Sequence, residues 1–405
     1  MTTTASFGQT QFGSAALGHK ARTACLVKIA NRIHRHPGGT LPAKLHAPKD
    51  YKAMDRLMNR PEVAHASVLA APCALTRQRM RDAAGVVLVL HDTTELDYSG
   101  LRSITDWGSI GGDLNRGLLC HNSLAFDPLQ REVLGLANQI LHRRRCRRKA
   151  KGAKKKREGV KQKRERLDRE SRLWVRGAES VGLAPVKHRW VHVADRGADT
   201  FEFLAQMEQQ PQPQGFVVRA CSKRSIRQGH DEAGILADLK PYARSLPRTG
   251  CREVEVAAKP GLPARQARVS VSFAPILLLP PHVKRGAYEK KPLYLWVVCV
   301  REDQPPKGVE PLEWLLLTNV PVTTVAEAWE RVDWYGCRWV LEEYHKAQKT
   351  GGGLESLQFG SAQALEPMIA LLSVVAVTLL KLRDAARRPD AKERRADEVV
   401  DPRYV

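Results

Sequence analysis

Gly85-Val-Val-Leu-Val-Leu-His-Asp-Thr-Thr94 is the stretch on which the fold class turns. Val86 to Leu90 is an unbroken apolar, β-branched run, the pattern of a strand buried on both faces, and the run ends at His91-Asp92. Trp190-Val-His-Val-Ala194 repeats the pattern and ends at Asp195. Gly215 to Cys221 and Glu313 to Thr318 add two further strands. Gly117 to Phe126 and Glu132 to Leu141 flank Asp127-Pro128 and read as a β-hairpin. Helical segments are expected at Ser171–Val181, Thr200–Gln209, near 323–331 and across 335–349. Strands that give way to strand–helix alternation predict a mixed α/β sheet flanked by helices.

Outward from these strands the composition changes. Residues 16–80 read as helical: Lys20 to Arg35 sets Leu26, Ile29, Ala30 and Ile33 on one side, with the basic residues largely elsewhere. A Pro-Gly-Gly break follows at 37–39, then a second helical stretch near Tyr51 to Asn59. Residues 224–301 alternate Pro, Gly and β-formers and read as a β-rich insertion. Met368 to Leu380 is the longest apolar stretch, shorter than the roughly 20 residues of a membrane span, and is expected to be a buried helix. The expected organisation is an N-terminal helical domain at 1–80, a core at 81–223 and 302–385 split by the insertion at 224–301, and a charged tail at 386–405.

Lys and Arg number 66 against 43 Asp and Glu, a net charge of +23 over 405 residues. That excess argues against a metabolic enzyme with a near-neutral surface and favours a polyanionic partner, nucleic acid first. Residues 143–172 hold 17 basic and 4 acidic side chains, more than half of the excess, with no apolar period. The run is either a solvated loop or an arm that grips phosphates. The start, MTTTASFGQTQFGSAALGHK, lacks the charged-then-apolar pattern of a signal peptide. Eight scattered cysteines show no CxxC pair or zinc spacing and are expected to be reduced and mostly buried. A cytoplasmic, nucleoid-associated protein is the expectation.

Asp92 and Asp195 each close an expected strand, where side chains converge on one edge of an α/β sheet. Taken alone, each reads as a turn or cap carboxylate ahead of a catalytic one. In Asp195-Arg-Gly-Ala-Asp199, Asp199 is the natural N-cap of the next helix, which leaves Asp195 over. Tyr335, Arg338, Glu342 and Lys349 lie at i, i+3, i+7 and i+14. On one helix they would fall at about 0°, −60°, −20° and −40°, a narrow stripe. Such a stripe suits phosphate and metal: the carboxylate holds a cation, Arg forks onto phosphate and Lys adds a point charge. An exposed helix with incidental charge pairs would look the same. Glu343 is rotated off the stripe.

The strand end VLVLHDTT, the strand end HVADRGAD and the pattern Y-x2-R-x3-E-x6-K in YGCRWVLEEYHKAQKTG together resemble the DDE transposases of bacterial insertion sequences. Within these the chain is most similar to the IS-four family, which includes the Tn-five transposase. FGSAALG, NRGLLCHNSLAFD, GFVVRACSK, PPKGVEPLEWLLLT and SVVAVTLLKLRD extend the resemblance over roughly residues 12–385.

The resemblance implies a ribonuclease-H-like catalytic core with a β-rich insertion and an N-terminal helical DNA-binding domain. It implies Asp92, Asp195 and Glu342 as the catalytic, metal-binding triad, holding two Mg²⁺ ions, with Mn²⁺ as the alternative. It implies that Tyr335, Arg338 and Lys349 hold phosphates at the transposon end, that Arg219 contacts end DNA, and that Trp314 stacks on a base flipped out as a hairpin forms. Read from the residues alone, Trp314 is a strand-core tryptophan. The implied activity is cut-and-paste transposition: binding inverted-repeat ends, cleaving them through a hairpin, and joining the 3′ ends to target DNA. The implied partners are double-stranded DNA and a second protomer in the synaptic complex. Two departures from the family pattern stand out: the richer basic run at 143–172, and a charged tail ending at Val405 where the family pattern continues into a helical, dimer-supporting domain. The second leads to the expectation of impaired dimerisation and to the rival reading of a truncated, DNA-binding inhibitor. A nuclease or resolvase of branched DNA is the third reading.

Overall fold

The computed structural model describes residues 5–112, 114–144, 166, 168–208, 214–258, 263–281, 290–387, 390–393 and 395. The chain divides into two units, Met1–Lys155 with Trp339–Val405, and Lys156–Arg338.

The first unit opens with α1 (Phe7–Phe12), α2 (Lys20–Arg35), α3 (Leu41–Leu45), α4 (Pro48–Met58) and α5 (His65–Asp82). In α2 the buried residues are Leu26, Ile29, Ala30 and Ile33, the stripe that the apolar periodicity picks out. Part of its basic face pins it to α4: Lys28 Nζ lies 2.6 Å and Arg32 Nε 2.8 Å from the carboxylate of Asp50, which is itself buried. Strands β1 (Val87–Asp97), β2 (Gly108–Ser109), β3 (Arg116–Asp127) and β4 (Glu132–His142) follow. β3 pairs antiparallel with β1 along one edge and with β4 and the short β2 along the other. The hairpin expected around Asp127-Pro128 is the β3–β4 pair. Its ladder shifts register near Gly135, where α5 packs so closely that a Cβ would fall 2.2 Å from Thr76 Oγ1.

β1 is longer than expected. Pairing with β3 runs from Leu88 opposite Phe126 to Asp97 opposite Gly117, so Asp92 lies in mid-strand rather than at its end. What stops at His91 is full burial: positions 87–91 are buried and 92–95 only half-buried. The change of hydropathy marks where the strand leaves the core, whereas the backbone ladder carries it on for five more residues.

The second unit contains α6 (Leu173–Val181), β5 (Trp190–Ala194), α7 (Phe201–Glu208), β6 (Gly215–Arg219), β7 (Ser225–Gln228), β8 (Leu236–Asp238), α8 (Leu239–Ser245), β9 (Gly250–Val256), β10 (Arg265–Leu278), β11 (Leu293–Glu302), β12 (Glu313–Thr318) and α9 (Val325–Gly336). β5 and β6 are parallel, joined through α7 as a strand–helix–strand crossover. β12, β11 and β10 then extend the sheet antiparallel from β6, and β7 and β9 share the far edge of β10. The strands of 224–301 therefore continue the sheet of β5, β6 and β12. Phe216, Val218, Leu295, Val297 and Leu317 of the sheet pack with Trp174 of α6, Phe203 and Leu204 of α7 and Leu239 of α8. α9 packs against β5, β6, β10 and β11.

The chain then returns to the first unit with α10 (Trp339–Lys346), a π-helical turn over Ala347–Gly351, and α11 (Ala362–Ala386). α11 is long and apolar enough to span a membrane, but 72% of its most apolar stretch is buried, packed against α2, α4, α5 and β4. Each fully buried Leu, Ile or Val there contributes about 1.5–3 kcal/mol, which makes α11 the central helix of its unit.

The basic run lies outside the described residues over 145–165 and at 167, as does most of the tail beyond 387. The described ends of the basic run are engaged in ion pairs, Arg143 with Asp106 and Glu366, and Arg169 and Arg172 with Glu202. Among the described cysteines, Cys73, Cys120 and Cys299 are buried, whereas Cys221 and Cys251 are exposed, so burial holds for only part of the set.

Candidate functional site

The expected single helix across 335–349 is not formed. α9 ends at Gly336, and Cys337 and Arg338 form a tight turn in which the Arg338 amide donates to the Tyr335 carbonyl, 3.0 Å away. α10 starts at Trp339 and passes into the π turn that carries Lys349. Glycine, the poorest helix former after proline, stands where the helix breaks. A constant 100° per residue therefore cannot be carried from Tyr335 to Lys349. Tyr335 and Arg338 belong to the second unit, and Glu342 and Lys349 to the first.

In the first unit, α10 packs against β1, which sets the helix of Glu342 on the strand of Asp92. Both carboxylates are half-buried. Asp92 accepts a hydrogen bond from the Thr93 amide at 2.7 Å, and Asn122 on β3 stands directly opposite it. Glu343, one residue on from Glu342, is ion-paired with Arg383 of α11. Lys349 Nζ lies 3.3 Å from Glu355, whose carboxylate also accepts the Asp97 amide at the end of β1. The Tyr98 hydroxyl donates to the Leu354 carbonyl at 3.0 Å, so the chain after the π turn is fastened to the end of β1 at two points.

Beneath this surface lies a group of buried polar side chains that the sequence reading did not single out. Asn122 Nδ2 donates to Gln348 Oε1 at 3.2 Å, and Gln139 Nε2 donates to Asn122 Oδ1 at 2.8 Å. Gln139 Nε2 and Gln348 Nε2 each donate to Ser373 Oγ at 2.9 Å, which closes a ring. The Tyr344 hydroxyl donates to the Ser373 carbonyl at 2.8 Å; burial pushes its pKa well above the usual tyrosine range, so it stays a donor. Asn122, Gln348 and Ser373 are fully buried and Gln139 nearly so. An unsatisfied buried polar group costs about 1–3 kcal/mol, which the closed ring avoids. The sequence does hold a signal for it. Gln348 continues the buried spacing Leu341, Tyr344, His345, and Ser373 interrupts an apolar helix. Each is a polar residue in a core register.

In the second unit, Asp195 follows the last residue of β5, as expected, and is half-buried. Its Oδ1 accepts the Gly197 amide at 2.8 Å and caps a 3-10 turn over Arg196–Ala198. Gly197 has to be glycine, because a Cβ would fall 2.5 Å from the Trp174 ring. Asp199 is not the helix cap; Thr200 Oγ1 accepts the Phe203 amide instead. Asp199 is buried against Arg224 and accepts the Cys221 and Ser222 amides, each at 2.7 Å.

Three residues expected at DNA meet near the start of β12. Trp314 is half-buried, with its ring centroid 5.0 Å from that of Tyr335 at 75°, an edge-to-face pair. Tyr335 is buried, so only a small part of it meets solvent. Arg219 Nη2 donates to the Glu313 carbonyl at 3.1 Å, and the Glu313 carboxylate is gripped by Arg244 through two bonds of 2.7 and 3.0 Å. Arg338 lies in the turn after α9.

The candidate triad is thus divided, with Asp92 and Glu342 in the first unit and Asp195 in the second. Among the described residues, no three His, Cys, Asp or Glu side chains form a group that could hold a metal ion. By donor chemistry, the three carboxylates fit a hard cation such as Mg²⁺ or Mn²⁺, with no thiolate or imidazole in the set.

Fold and site together define a mixed α/β protein of two units, with acidic residues on β1, after β5 and on α10, and with Arg219 of β6 and Tyr335 of α9 placed against the start of β12. No protein-family model matches the chain. Among solved structures it is similar to a piggyBac transposase in a synaptic complex with hairpin DNA, at 8% identity and a TM-score of 0.38 over 91% of this chain and 67% of that one. At that level the match assigns neither family nor function.

Proposed function

We propose that this protein is a DDE-type DNA transposase of the IS-four kind, with a ribonuclease-H-like core. It binds the inverted-repeat ends of its element, cleaves them through a hairpin and transfers the 3′ ends to target DNA. The observation that carries this reading is the packing of α10 on β1, which brings the helix of Glu342 to the strand of Asp92 within one unit. The net charge of +23 and the Arg219–Trp314–Tyr335 cluster support a DNA partner.

Asp92, Glu342 and Asp195 are the carboxylates that would hold Mg²⁺. When bound, the metal lowers the pKa of the attacking water or 3′-hydroxyl and stabilises the leaving oxygen. The protein's own part is to orient. Lys349, steadied by Glu355 on a turn fastened to β1, supplies a placed positive charge for a phosphate. Arg338 forks onto a second phosphate. Trp314 stacks on the extruded base, steadied by its edge-to-face contact with Tyr335. A second protomer completes the paired-end complex.

The test is cleavage of end-bearing DNA in Mg²⁺ by the wild type and by Asp92→Ala, Asp195→Ala and Glu342→Ala. Each variant is expected to lose strand cleavage and to keep end binding, because phosphate contacts dominate affinity. Cleavage that persists in Glu342→Ala and is lost in Glu343→Ala would show that the neighbouring carboxylate does the work.

A further inference from the structure

The first unit holds four polar side chains, from four separate chain segments, closed into one hydrogen-bonded ring. Asn122 comes from β3, Gln139 from β4, Gln348 from the π turn and Ser373 from α11. None of them reaches the surface, so the ring does not itself contact DNA. Its value lies in what it joins. Asn122 is the cross-strand partner of Asp92. Gln348 is six residues beyond Glu342 and directly before Lys349. A short path of one strand pair and one 3.2 Å hydrogen bond therefore runs from Asp92 to the turn that ends the helix of Glu342.

A purely apolar contact in this place would hold α10 less definitely. Apolar side chains can repack, and a slip of one residue along a helix turns every side chain by about 100°. Such a slip would re-aim Glu342. The ring allows no slip: Gln348 must offer its carbonyl to Asn122 and its amide to Ser373 at once, and Tyr344, one turn earlier, must reach the Ser373 carbonyl. The π turn fits this role, since the extra residue in the turn adjusts the direction of Gln348 locally, and π turns are concentrated at functional sites.

We propose that Asn122, Gln139, Gln348 and Ser373 are positioning residues, whose ring fixes the rotation of α10 and so the direction of Glu342 and Lys349 relative to Asp92. The inference rests on the reading of Asp92 and Glu342 as metal-holding carboxylates. It adds that their geometry is set from beneath by a network that carries no charge.

The test uses the full chain without DNA and reads Mn²⁺ binding by electron paramagnetic resonance, beside thermal unfolding. Gln348→Leu removes the bonds to Asn122 and Ser373 without touching either carboxylate, and is expected to weaken Mn²⁺ binding about 10-fold, the lower end of what losing a direct partner of a metal ligand costs, while unfolding stays cooperative. Ser373→Ala removes only the shared acceptor on a helix that tolerates alanine well, and is expected to shift Mn²⁺ binding the same way. Ser373→Thr keeps the oxygen and is expected to restore it. Wild-type Mn²⁺ affinity in folded Ser373→Ala or Gln348→Leu protein overturns the inference. Asp92→Ala separates the two levels. If it loses Mn²⁺ while the ring variants do not, the carboxylate reading stands and the ring is structural only. If it binds Mn²⁺ like the wild type, the carboxylate reading fails and the inference falls with it.

Discussion

Asp199 is enclosed by Arg224: the guanidinium Nε lies 2.9 Å from its carboxylate, Nη2 lies 2.7 Å from its main-chain carbonyl, and the aspartate side chain is fully buried. Four residues earlier, Asp195 caps a short turn and is only half-buried. Two aspartates in one short motif thus have different occupations. Removing one partner of a buried ion pair costs about 3–5 kcal/mol, whereas losing a cap costs about 0.5–2 kcal/mol. Arg224→Ala is therefore expected to destabilise the protein by the larger amount and Asp195→Ala by the smaller. Urea unfolding of both variants measures the difference. Equal losses would mean that Asp195 is as structural as Asp199.

Trp314 and Tyr335 form an edge-to-face pair, a contact worth about 0.5–1.5 kcal/mol beyond the area it buries. A double-mutant cycle on stability with Trp314→Ala and Tyr335→Leu is expected to return a coupling in that range. Base stacking on Trp314 would add about 1–3 kcal/mol during hairpin formation. Trp314→Ala should then leave first-strand nicking nearly intact and slow the hairpin step roughly 5- to 150-fold, as read on a gel of end-labelled DNA. A variant that nicks and forms hairpins at wild-type rates while melting earlier would return Trp314 to the core.

His192 on β5 is fully buried, 2.6 Å from Gln214 Oε1, and burial pushes its pKa down to about 4. In the unfolded chain the ring titrates near 6.5. The folded value is the lower one, so the unfolded state takes up the proton first as the pH falls. The stabilisation is complete above about pH 6.5 and is lost as the pH drops toward about 4, on the order of 3 kcal/mol in all. Urea midpoints between pH 7 and 4 are expected to fall in the wild type and to fall less in His192→Gln. The same slope in both proteins would place the acid sensitivity elsewhere.

Much of the fold was legible because apolar patterning is local. The bounds of α2, β5 and β12 coincide with runs that can be read off the chain, since a buried stripe or strand needs its apolar residues at fixed spacing. The candidate residues were legible by type and spacing, and Asp195 stands at its strand end as expected. Other features depended on partners far away in the chain. β1 runs past Asp92 because β3 supplies a ladder, and Asp199 gives up the cap because Arg224 is there to bury it. The run from Tyr335 to Lys349 looks continuous by periodicity, yet it breaks after Gly336 and ends in a π turn whose Gln348 is tied to Asn122, 226 positions away. By itself, then, the sequence determined which segments are buried, where Asp195 closes its strand, and that the chain carries a large excess of positive charge. The tertiary structure alone decided which aspartate is structural, where the helix breaks and which polar side chains close a ring in the core. A hydrogen bond between distant segments leaves no periodic trace, because its partners are chosen by packing rather than by spacing.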